Sequence, residues 1–196
     1  MKILVTGGCG RVASNVVFKL LNLGHQVDVV DNFSSGDYDN LLKFNINIKH
    51  VPIFAIDLFE EKYSSRRLQD QILFFEGDFE EDVLLKRISR GYYDTILHFA
   101  ALTKTEDILK NVGVAIDNNI TRTFNLLYSL KKTNNTNFVL AMHSKEDGSL
   151  FASHKNLIEA HIKALEMSIN YLRYDDLLEA EHMLEELLEC DGFKTR

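Results

Sequence analysis

The chain has 196 residues, of which 45% are hydrophobic and 26% charged, and its formal net charge at pH 7 is −7. This composition is too apolar for a disordered chain, and the length suits one domain with a sizeable core. Most of the negative charge lies in residues 174–196, which carry eight acidic and two basic residues. A nearly neutral body with an acidic tail argues against nucleic acid or an anionic membrane as a partner.

Targeting and metal-binding signals are also missing from the sequence. No apolar run reaches the roughly 18 residues of a membrane-spanning helix, and residues 1–6 meet glycines too early for a secretion signal. The two cysteines, Cys9 and Cys190, lie at opposite ends of the chain without the spacing of metal ligands. We therefore expect a reduced, cytoplasmic protein without a metal site.

Short apolar runs alternate with helical periodicities along the first 150 residues. The patterns predict strands over residues 2–6, 26–31, 71–79, 94–100 and 137–142, and helices over 11–23, 81–90 and 112–132. Residues 41–70 are interpreted as an insertion with only hints of a strand, and the pattern beyond residue 150 is helical. The alternation predicts a Rossmann-like α/β domain over residues 1–155, with a doubly wound parallel sheet, and a helical C-terminal segment, 156–196, packed on it.

The turn after the first strand has the spacing of a dinucleotide-binding turn. Gly7 suits a tight turn, Gly10 lets the backbone approach a pyrophosphate, and Ala13 permits close contact between helix and strand. The helix that begins at Arg11 and Val12 then directs its N-terminus at the phosphates. A glycine turn alone is weak evidence. Here it follows a strand and opens a helix, and an acid ends the next strand, so the pattern indicates a dinucleotide site.

The acid that ends the second strand bears on the choice of cofactor. The carboxylate of Asp31 can hold ribose hydroxyls and would repel a 2′-phosphate, which favours NAD over NADP. Arg11 favours NADP instead, since an arginine beside the ribose could bind the 2′-phosphate. It could equally be an exposed helix residue. NAD is the cofactor we predict.

Residues 1–36 resemble the start of the extended short-chain dehydrogenase/reductase family, and most closely its NAD-dependent nucleotide-sugar epimerases and dehydratases of the UDP-glucose 4-epimerase type. Three further stretches match in the same order: Asp78-Phe79, residues 94–102, and residues 117–123, which match the family's N-N-V-x-G-T. The resemblance implies a dinucleotide cofactor and a nucleotide sugar as the substrate class. It places cofactor contacts at Asn32, Ser35, Gly36, Asp78, Phe79, Phe99, Ala100, Ala101 and Asn119, besides the residues of the glycine turn.

The catalytic residues depart from that family's pattern. The family uses a Ser or Thr and a Tyr-x-x-x-Lys pair, in which the Tyr hydroxyl is the general base and the Lys binds the cofactor ribose. Here Lys155 is present, but Phe151 replaces the Tyr. His143 stands at the hydroxyl position, with Ser144 beside it, and either is a candidate for proton transfer. A histidine at the end of a strand is more often a structural residue.

Three functions follow from these departures. Only about 40 residues follow Lys155, too few for the family's substrate domain. The chain is therefore interpreted as a cofactor-binding protein whose catalysis is lost or reduced, that is, a pseudoenzyme. One alternative is an active epimerase or reductase that transfers protons through His143 or Ser144. Another is a non-catalytic interaction module, because the resemblance implies a homodimer formed through helices of about 112–132 and 151–173.

Overall fold

Seven parallel strands form one sheet in the order β3-β4-β2-β1-β5-β6-β7. The structure is a computed structural model that describes residues 1–58, 71–131, 133, 136–143, 149–174 and 177–189. The strands are β1 (Lys2–Thr6), β2 (Gln26–Asp31), β3 (Asn47–His50), β4 (Gln71–Glu76), β5 (Thr95–His98), β6 (Asn137–His143) and β7 (Asn170–Tyr174). The chain order reverses between β1 and β5, which is where doubly wound sheets bind their ligands.

Helices cover both faces of the sheet. They are α1 (Arg11–Asn22), α2 (Asp39–Leu42), α3 (Asp82–Ser89), α4 (Thr105–Lys110), α5 (Val112–Ile116), α6 (Arg122–Leu130), α7 (Leu150–Ala164) and α8 (Leu177–Glu189). A π-helical stretch, Asp117–Thr121, joins α5 to α6, and a 3-10 turn covers Ile53–Ala55. Among the described residues, no helix is long and apolar enough to cross a membrane.

The apolar strand residues alternate between two cores, one on each face of the sheet. Leu4 packs with α3, α6 and α7 on one face, whereas Ile3 and Val5 pack with α1 and α8 on the other. Strands buried on both faces need nearly continuous apolar sequences, which is why the runs in this chain are short and unbroken. The predicted Rossmann-like parallel sheet is confirmed.

The predicted insertion at 41–70 contributes a strand to the sheet. Residues 47–50 form β3, which pairs in parallel with β4 at one edge, and residues 59–70 lie outside the described part of the chain. β3 is only four residues long and mostly exposed. An edge strand of this kind shows little apolar periodicity, so the pairing with β4, rather than the local pattern, defines it.

The C-terminal segment is not helical throughout. α7 ends at Ala164, and residues 170–174 form β7, which pairs in parallel with β6. The helical stripe that the sequence predicts over Ile162, Leu165, Ile169 and Leu172 is therefore divided between a helix, a turn and a strand. The acidic helix α8 then packs on α1, with Ala180 and Leu184 buried and an ion pair between Lys19 Nζ and Glu185 Oε1 at 2.8 Å.

The turn after β1 depends on a glycine. Gly7 has a φ of +70°, and a Cβ there would lie 2.6 Å from the backbone nitrogen of Ala100. Both the backbone conformation and the contact with the end of β5 therefore exclude a side chain. Gly24 offers a matched comparison, because its φ is +79° but a Cβ there would meet nothing within 4 Å.

We expect Gly7→Ala to destabilise the protein far more than Gly24→Ala. Gly24→Ala suffers only the strain of the left-handed conformation, about 1 kcal/mol. Gly7→Ala adds a backbone collision, and we expect a total loss of roughly 3 kcal/mol or more. Urea unfolding of the two variants measures the difference. Equal losses would contradict the close approach of the β1 turn to β5.

Candidate functional site

A cleft of about 1030 Å³ opens at the ends of the strands, beside the point where the strand order reverses. Its walls come from the turn after β1, the loops that follow β2, β4 and β5, the end of β7, and one face of α7. Because all the strands are parallel, their C-terminal ends meet at this one edge of the sheet. Residues far apart in the sequence therefore line the same cavity.

The structure brings fourteen of the fifteen predicted cofactor residues together around this cleft. They are Gly7, Gly10, Arg11, Val12, Asp31, Asn32, Ser35, Gly36, Asp78, Phe79, Phe99, Ala100, Ala101 and Lys155. Asn119 is the exception, because it is buried behind the wall of the cleft and does not line it.

The N-terminus of α1 faces the cleft. Gly10 N donates to Gly7 O at 3.0 Å, and the first bond within the helix runs from Ser14 N to Gly10 O at 2.9 Å. The amides of the first helical turn, at Arg11, Val12 and Ala13, precede that bond and border the cleft. Amides at a helix N-terminus carry partial positive charge, so this end of the cleft suits an anion such as a phosphate.

Asp31 joins the β1 turn to the end of β2. Its Oδ2 accepts a hydrogen bond from Cys9 N, and its Oδ1 accepts one from Phe33 N, both at 2.8 Å. Burial raises the pKa of this carboxyl, and the two backbone hydrogen bonds oppose that rise. A Cβ at Gly36 would lie 3.0 Å from Asp31 Oδ2, so a glycine there keeps the approach to the carboxylate open.

Asp78 carries a buried oxygen without a partner. Arg122 Nη1 donates to Asp78 Oδ2, whereas Asp78 Oδ1 is buried and has no hydrogen-bond partner among the described residues. An orphaned carboxylate oxygen is costly unless a donor reaches it. Asp78 lines the cleft, but this oxygen itself is not exposed to it.

Asn119 has a structural role, and its contact with the cofactor stays a prediction. Its Oδ1 accepts from Leu102 N at 2.8 Å and from Asn118 Nδ2 at 3.1 Å. Its Nδ2 donates to Leu102 O at 2.8 Å and contacts His154 Nδ1 at 3.1 Å. The side chain thus holds the loop after β5 against the π-helical stretch and α7, and its hydrogen-bonding groups are used within the protein.

A buried histidine supports the floor of the cleft. His98 Nδ1 lies 2.7 Å from Thr6 Oγ1, and its Nε2 lies 3.0 Å from Thr123 Oγ1. Thr123 Oγ1 donates to Asn119 O, so the proton of His98 belongs on Nε2, and Nδ1 accepts from Thr6. Burial, assisted by the nearby charge of Lys155, lowers the pKa of His98 well below its usual value. His98 is therefore neutral and joins β1, β5 and α6.

Lys155 and Phe151 lie on the face of α7 that borders the cleft. Lys155 is only 3% exposed, and its Nζ lies 5.3 Å from the centre of the Phe151 ring. Burial lowers the pKa of Lys155 to about 7. Among the described residues no hydrogen bond to Nζ is present, so this amine is available to a hydroxyl or an anion in the cleft.

The two candidate proton-transfer residues are only partly covered by the structure. His143 is the last residue of β6, where its backbone pairs with Tyr174 of β7. Its side chain and the whole of Ser144 lie outside the described part of the chain. Both remain hypotheses from the sequence.

Sequence reasoning missed several residues that line the cleft. Arg173 and Tyr174 come from the end of β7, and burial raises the pKa of Tyr174 to about 12. Lys104 and Ser149 come from loops beside the predicted motifs, and Asn40 comes from α2. A correct prediction of β7 would have identified Arg173 and Tyr174, because the end of another parallel strand must reach the same edge of the sheet.

A doubly wound parallel sheet with a glycine turn and an acid at its switch point defines a protein of the Rossmann class. Comparison with known proteins narrows the class. The chain belongs to the NAD dependent epimerase/dehydratase family, whose family model matches residues 3–148.

Curated relatives and solved structures agree with this assignment. The chain is 31% identical over 134 residues to a bifunctional UDP-glucose 4-epimerase and UDP-xylose 4-epimerase from Pisum sativum, covering 68% of this chain and 34% of that protein. It is 28% identical over 142 residues to the UDP-glucose 4-epimerase of Haemophilus influenzae, covering 72% and 36%. The chain therefore spans about a third of the length of these relatives.

The similarity to solved structures concerns the fold. The UDP-glucose 4-epimerase of Bifidobacterium longum, in complex with NAD+ and UDP, matches with a TM-score of 0.64 at 22% identity, covering 89% of this chain and 53% of that one. The enzyme from Stenotrophomonas maltophila, with bound NAD and formylated UDP-arabinopyranose, matches with a TM-score of 0.65 at 19% identity, covering 89% and 52%.

Replacing Lys155 by methionine tests the cost of burying its amine. The pKa of Lys155 falls from its ordinary value of 10.5 to about 7 in the folded protein. Between these values the unfolded chain binds more protons than the folded protein, so folding of the wild type becomes more favourable as the pH rises. Relative to wild type, Lys155→Met should thus be most stabilising at pH 6 and less so at pH 9. We expect the difference in the free energy of unfolding between Lys155→Met and the wild type to be about 2 kcal/mol smaller at pH 9 than at pH 6.

Urea unfolding at pH 6 and pH 9 measures this effect. Lys86→Met is the matched control, because Lys86 is exposed and reaches only Asp82 on its own helix, and it should show no such dependence on pH. A difference between Lys155→Met and wild type that is the same at both pH values would contradict the burial of the amine.

Proposed function

We propose that this chain binds NAD in the cleft and has lost most or all of the sugar-nucleotide chemistry of its family. The observation that carries the proposal is that three separate binding elements line one cleft: the amides of the first turn of α1, the Asp31 carboxylate and the Lys155 amine. Each of them matches a different chemical group of a dinucleotide.

Each protein group suits a different part of the cofactor. The α1 amides suit the pyrophosphate, because they combine N–H donors with the positive end of the helix. Asp31 suits ribose hydroxyls, which donate to a carboxylate. Asp78 and Phe79 line the same cleft, and the resemblance places the adenine beside them. Lys155 suits the hydroxyls of the second ribose. A carboxylate at position 31 disfavours a 2′-phosphate, so we propose NAD rather than NADP.

The case for reduced catalysis rests on the residue beside Lys155. A nicotinamide cofactor accepts and returns a hydride at a sugar carbon, and a protein base must remove the hydroxyl proton at that carbon. Phe151 lines the cleft at the position where the family has a tyrosine, and a phenyl ring has no proton to exchange.

The alternative, an active epimerase or reductase, requires another base. His143 is the last residue of β6, which borders the cleft at Met142, and Ser144 is the next residue in the sequence. A histidine there could accept a proton near neutral pH. The two versions of the function share the cofactor and differ only in turnover, so one set of measurements separates them.

Calorimetry with NAD and an assay with UDP-glucose and UDP-galactose test the proposal. We expect NAD to bind, with about 10-fold weaker binding for Lys155→Met, which removes a charged hydrogen-bond donor, and unchanged binding for Lys86→Met. We expect no conversion of either sugar by the wild type and little recovery in Phe151→Tyr. The absence of binding at about 1 mM NAD, which corresponds to about 4 kcal/mol of affinity, removes the proposal.

Sugar conversion by the wild type would instead favour the alternative. In that case His143→Ala and Ser144→Ala identify the base. A loss of turnover with NAD binding unchanged is the expected signature for whichever residue transfers the proton.

We further propose that the chain forms a homodimer through α7 and the helices of residues 112–132, and we add the neighbouring α4 to this surface. Leu109, Val112, Ile116 and Leu157 are large apolar residues on these helices, and each is exposed in the single chain. Apolar side chains clustered on neighbouring helices are typical of an interface. Of these helices, α7 ends at Ala164, whereas the sequence predicts a helix that continues to about residue 173.

Light scattering tests the dimer. At tens of micromolar we expect a dimer for the wild type and a monomer for Leu157→Glu, because a charge in an apolar interface is strongly disfavoured. Phe54→Glu is the matched control, since Phe54 is even more exposed but lies on the 3-10 turn away from these helices. A wild-type monomer at that concentration removes the dimer proposal and leaves the cofactor proposal standing.

A further inference from the structure

Lys155 is a buried lysine whose amine opens into the cleft. The side chain lines the cleft, and the residue is only 3% exposed. In the described part of the chain its Nζ takes part in no hydrogen bond and no ion pair. Asp78 Oδ1 also lacks a partner and is fully enclosed by protein atoms, whereas Lys155 Nζ is not among the enclosed atoms. The small exposed part of Lys155 therefore includes its amine, and a ligand in the cleft can reach it.

The surroundings of this amine favour its unprotonated form. Phe151 lies one helical turn before Lys155, and the centre of its ring is 5.3 Å from Nζ. Burial lowers the pKa of Lys155 to about 7. The titratable neighbours His98 and His154 add no positive charge at pH 7, because burial and the charge of Lys155 lower their pKa values. About half of the amine is thus unprotonated at pH 7, against less than about 0.1% for an ordinary lysine.

The replacement of a tyrosine by Phe151 changes what this lysine can do. In the pattern that the chain resembles, the tyrosine hydroxyl is the group that transfers a proton. Four residues of α7 line the cleft here, and only one of them is ionisable: Phe151, Ala152, Lys155 and Asn156. An unprotonated amine in an apolar pocket is a nucleophile, and its typical partner is the carbonyl carbon of an aldehyde or ketone.

The same cleft offers a place for a phosphate. The amides at Arg11, Val12 and Ala13 border it at the N-terminus of α1, a helix of 12 residues. Such amides bind phosphate groups. A molecule with a phosphate at one end and a carbonyl group at the other can be held by α1 while its carbonyl meets the amine. Holding a reactant in this way raises its effective concentration at the nucleophile.

We propose that Lys155 is a nucleophile that forms an imine with a phosphorylated aldehyde or ketone bound in the cleft. The Nζ lone pair attacks the carbonyl carbon, the C=O electron pair moves to the oxygen, and a proton passes from the nitrogen to that oxygen. The hydroxyl of this carbinolamine then takes up a second proton and leaves as water, and the nitrogen gives up its remaining hydrogen as the C=N bond forms. No oxidant or reductant is consumed, and hydrolysis reverses the reaction. The proposal does not depend on NAD, although both ligands would compete for the same amine.

Trapping with borohydride tests this assignment on the full chain. The wild type is mixed at pH 7 with pyridoxal phosphate or with the smaller glycolaldehyde phosphate. Borohydride reduces any imine to a stable secondary amine, which peptide mass spectrometry locates. We expect labelling at Lys155 to be at least about 10-fold faster than at two reference lysines, because more of its amine is unprotonated. Lys104 lines the same cleft but is exposed, and Lys86 is exposed on α3.

One further probe and two variants test the phosphate site and the role of Phe151. The advantage of pyridoxal phosphate over pyridoxal, which lacks the phosphate, should be at least about 10-fold larger at Lys155 than at Lys86. Phe151→Glu should slow labelling of Lys155 about 5-fold or more, since a carboxylate one turn away keeps the amine protonated. Leu150→Glu is the matched control, because Leu150 begins the same helix but is exposed and does not line the cleft, and it should leave the rate unchanged.

Three results overturn the inference. Labelling of Lys155 by both phosphate probes that is no faster than labelling of Lys104 shows that the amine is not the nucleophile of the cleft. An unchanged rate in folded Phe151→Glu contradicts the role of the apolar surroundings. An equal advantage of the phosphate at Lys155 and Lys86 overturns the assignment of a phosphorylated substrate.

Addition of NAD separates this inference from the proposed function. If both hold, saturating NAD blocks labelling of Lys155 and leaves labelling of Lys86 unchanged. Fast labelling of Lys155 that NAD does not block supports the imine site and contradicts the contact of NAD with Lys155. Slow labelling of Lys155 in a protein that binds NAD overturns the inference and leaves the proposed function standing.

Discussion

The close approach of the β1 turn to the end of β5 is the constraint on which the site depends. Gly7 lies against the backbone of Ala100 with no room for a Cβ, and this contact places the N-terminus of α1 beside the switch point. Asp31 then bridges the turn to β2 through its bonds to Cys9 and Phe33. Without this approach the amides of α1 and the Asp31 carboxylate would not border one cleft.

Two kinds of polar group surround that cleft, and they differ in how completely they are satisfied. Asn119 and His98 use their hydrogen-bonding groups inside the protein and fix the loops that form the cleft. Asp78 Oδ1 and the Lys155 amine have no such partners among the described residues, although both are buried. Buried polar groups without partners reduce stability, so these two groups carry a cost in free energy that Asn119 and His98 do not.

Much of the fold and of the cofactor cleft could be predicted from the sequence. Buried parallel strands have short apolar runs, and the glycine turn has a fixed spacing, so local patterns were sufficient for β1, β2, β5 and the cleft residues that follow them. The patterns failed where pairing defines the element. β3 is a short exposed edge, and β7 lies in a stretch whose apolar spacing also fits a helix. Arg173 and Tyr174 were missed as a direct result.

The sequence by itself determined the Rossmann-like sheet, the glycine turn, Asp31, and the replacement of a tyrosine by Phe151, because each is a local pattern or a single residue. The tertiary structure decided what those residues do together. It placed Asn119 behind the wall of the cleft, left Asp78 Oδ1 without a partner, and connected Arg122 to Asp78, 44 residues away. Contacts of this kind depend on which strand ends meet at one edge of the sheet, and no local pattern records that.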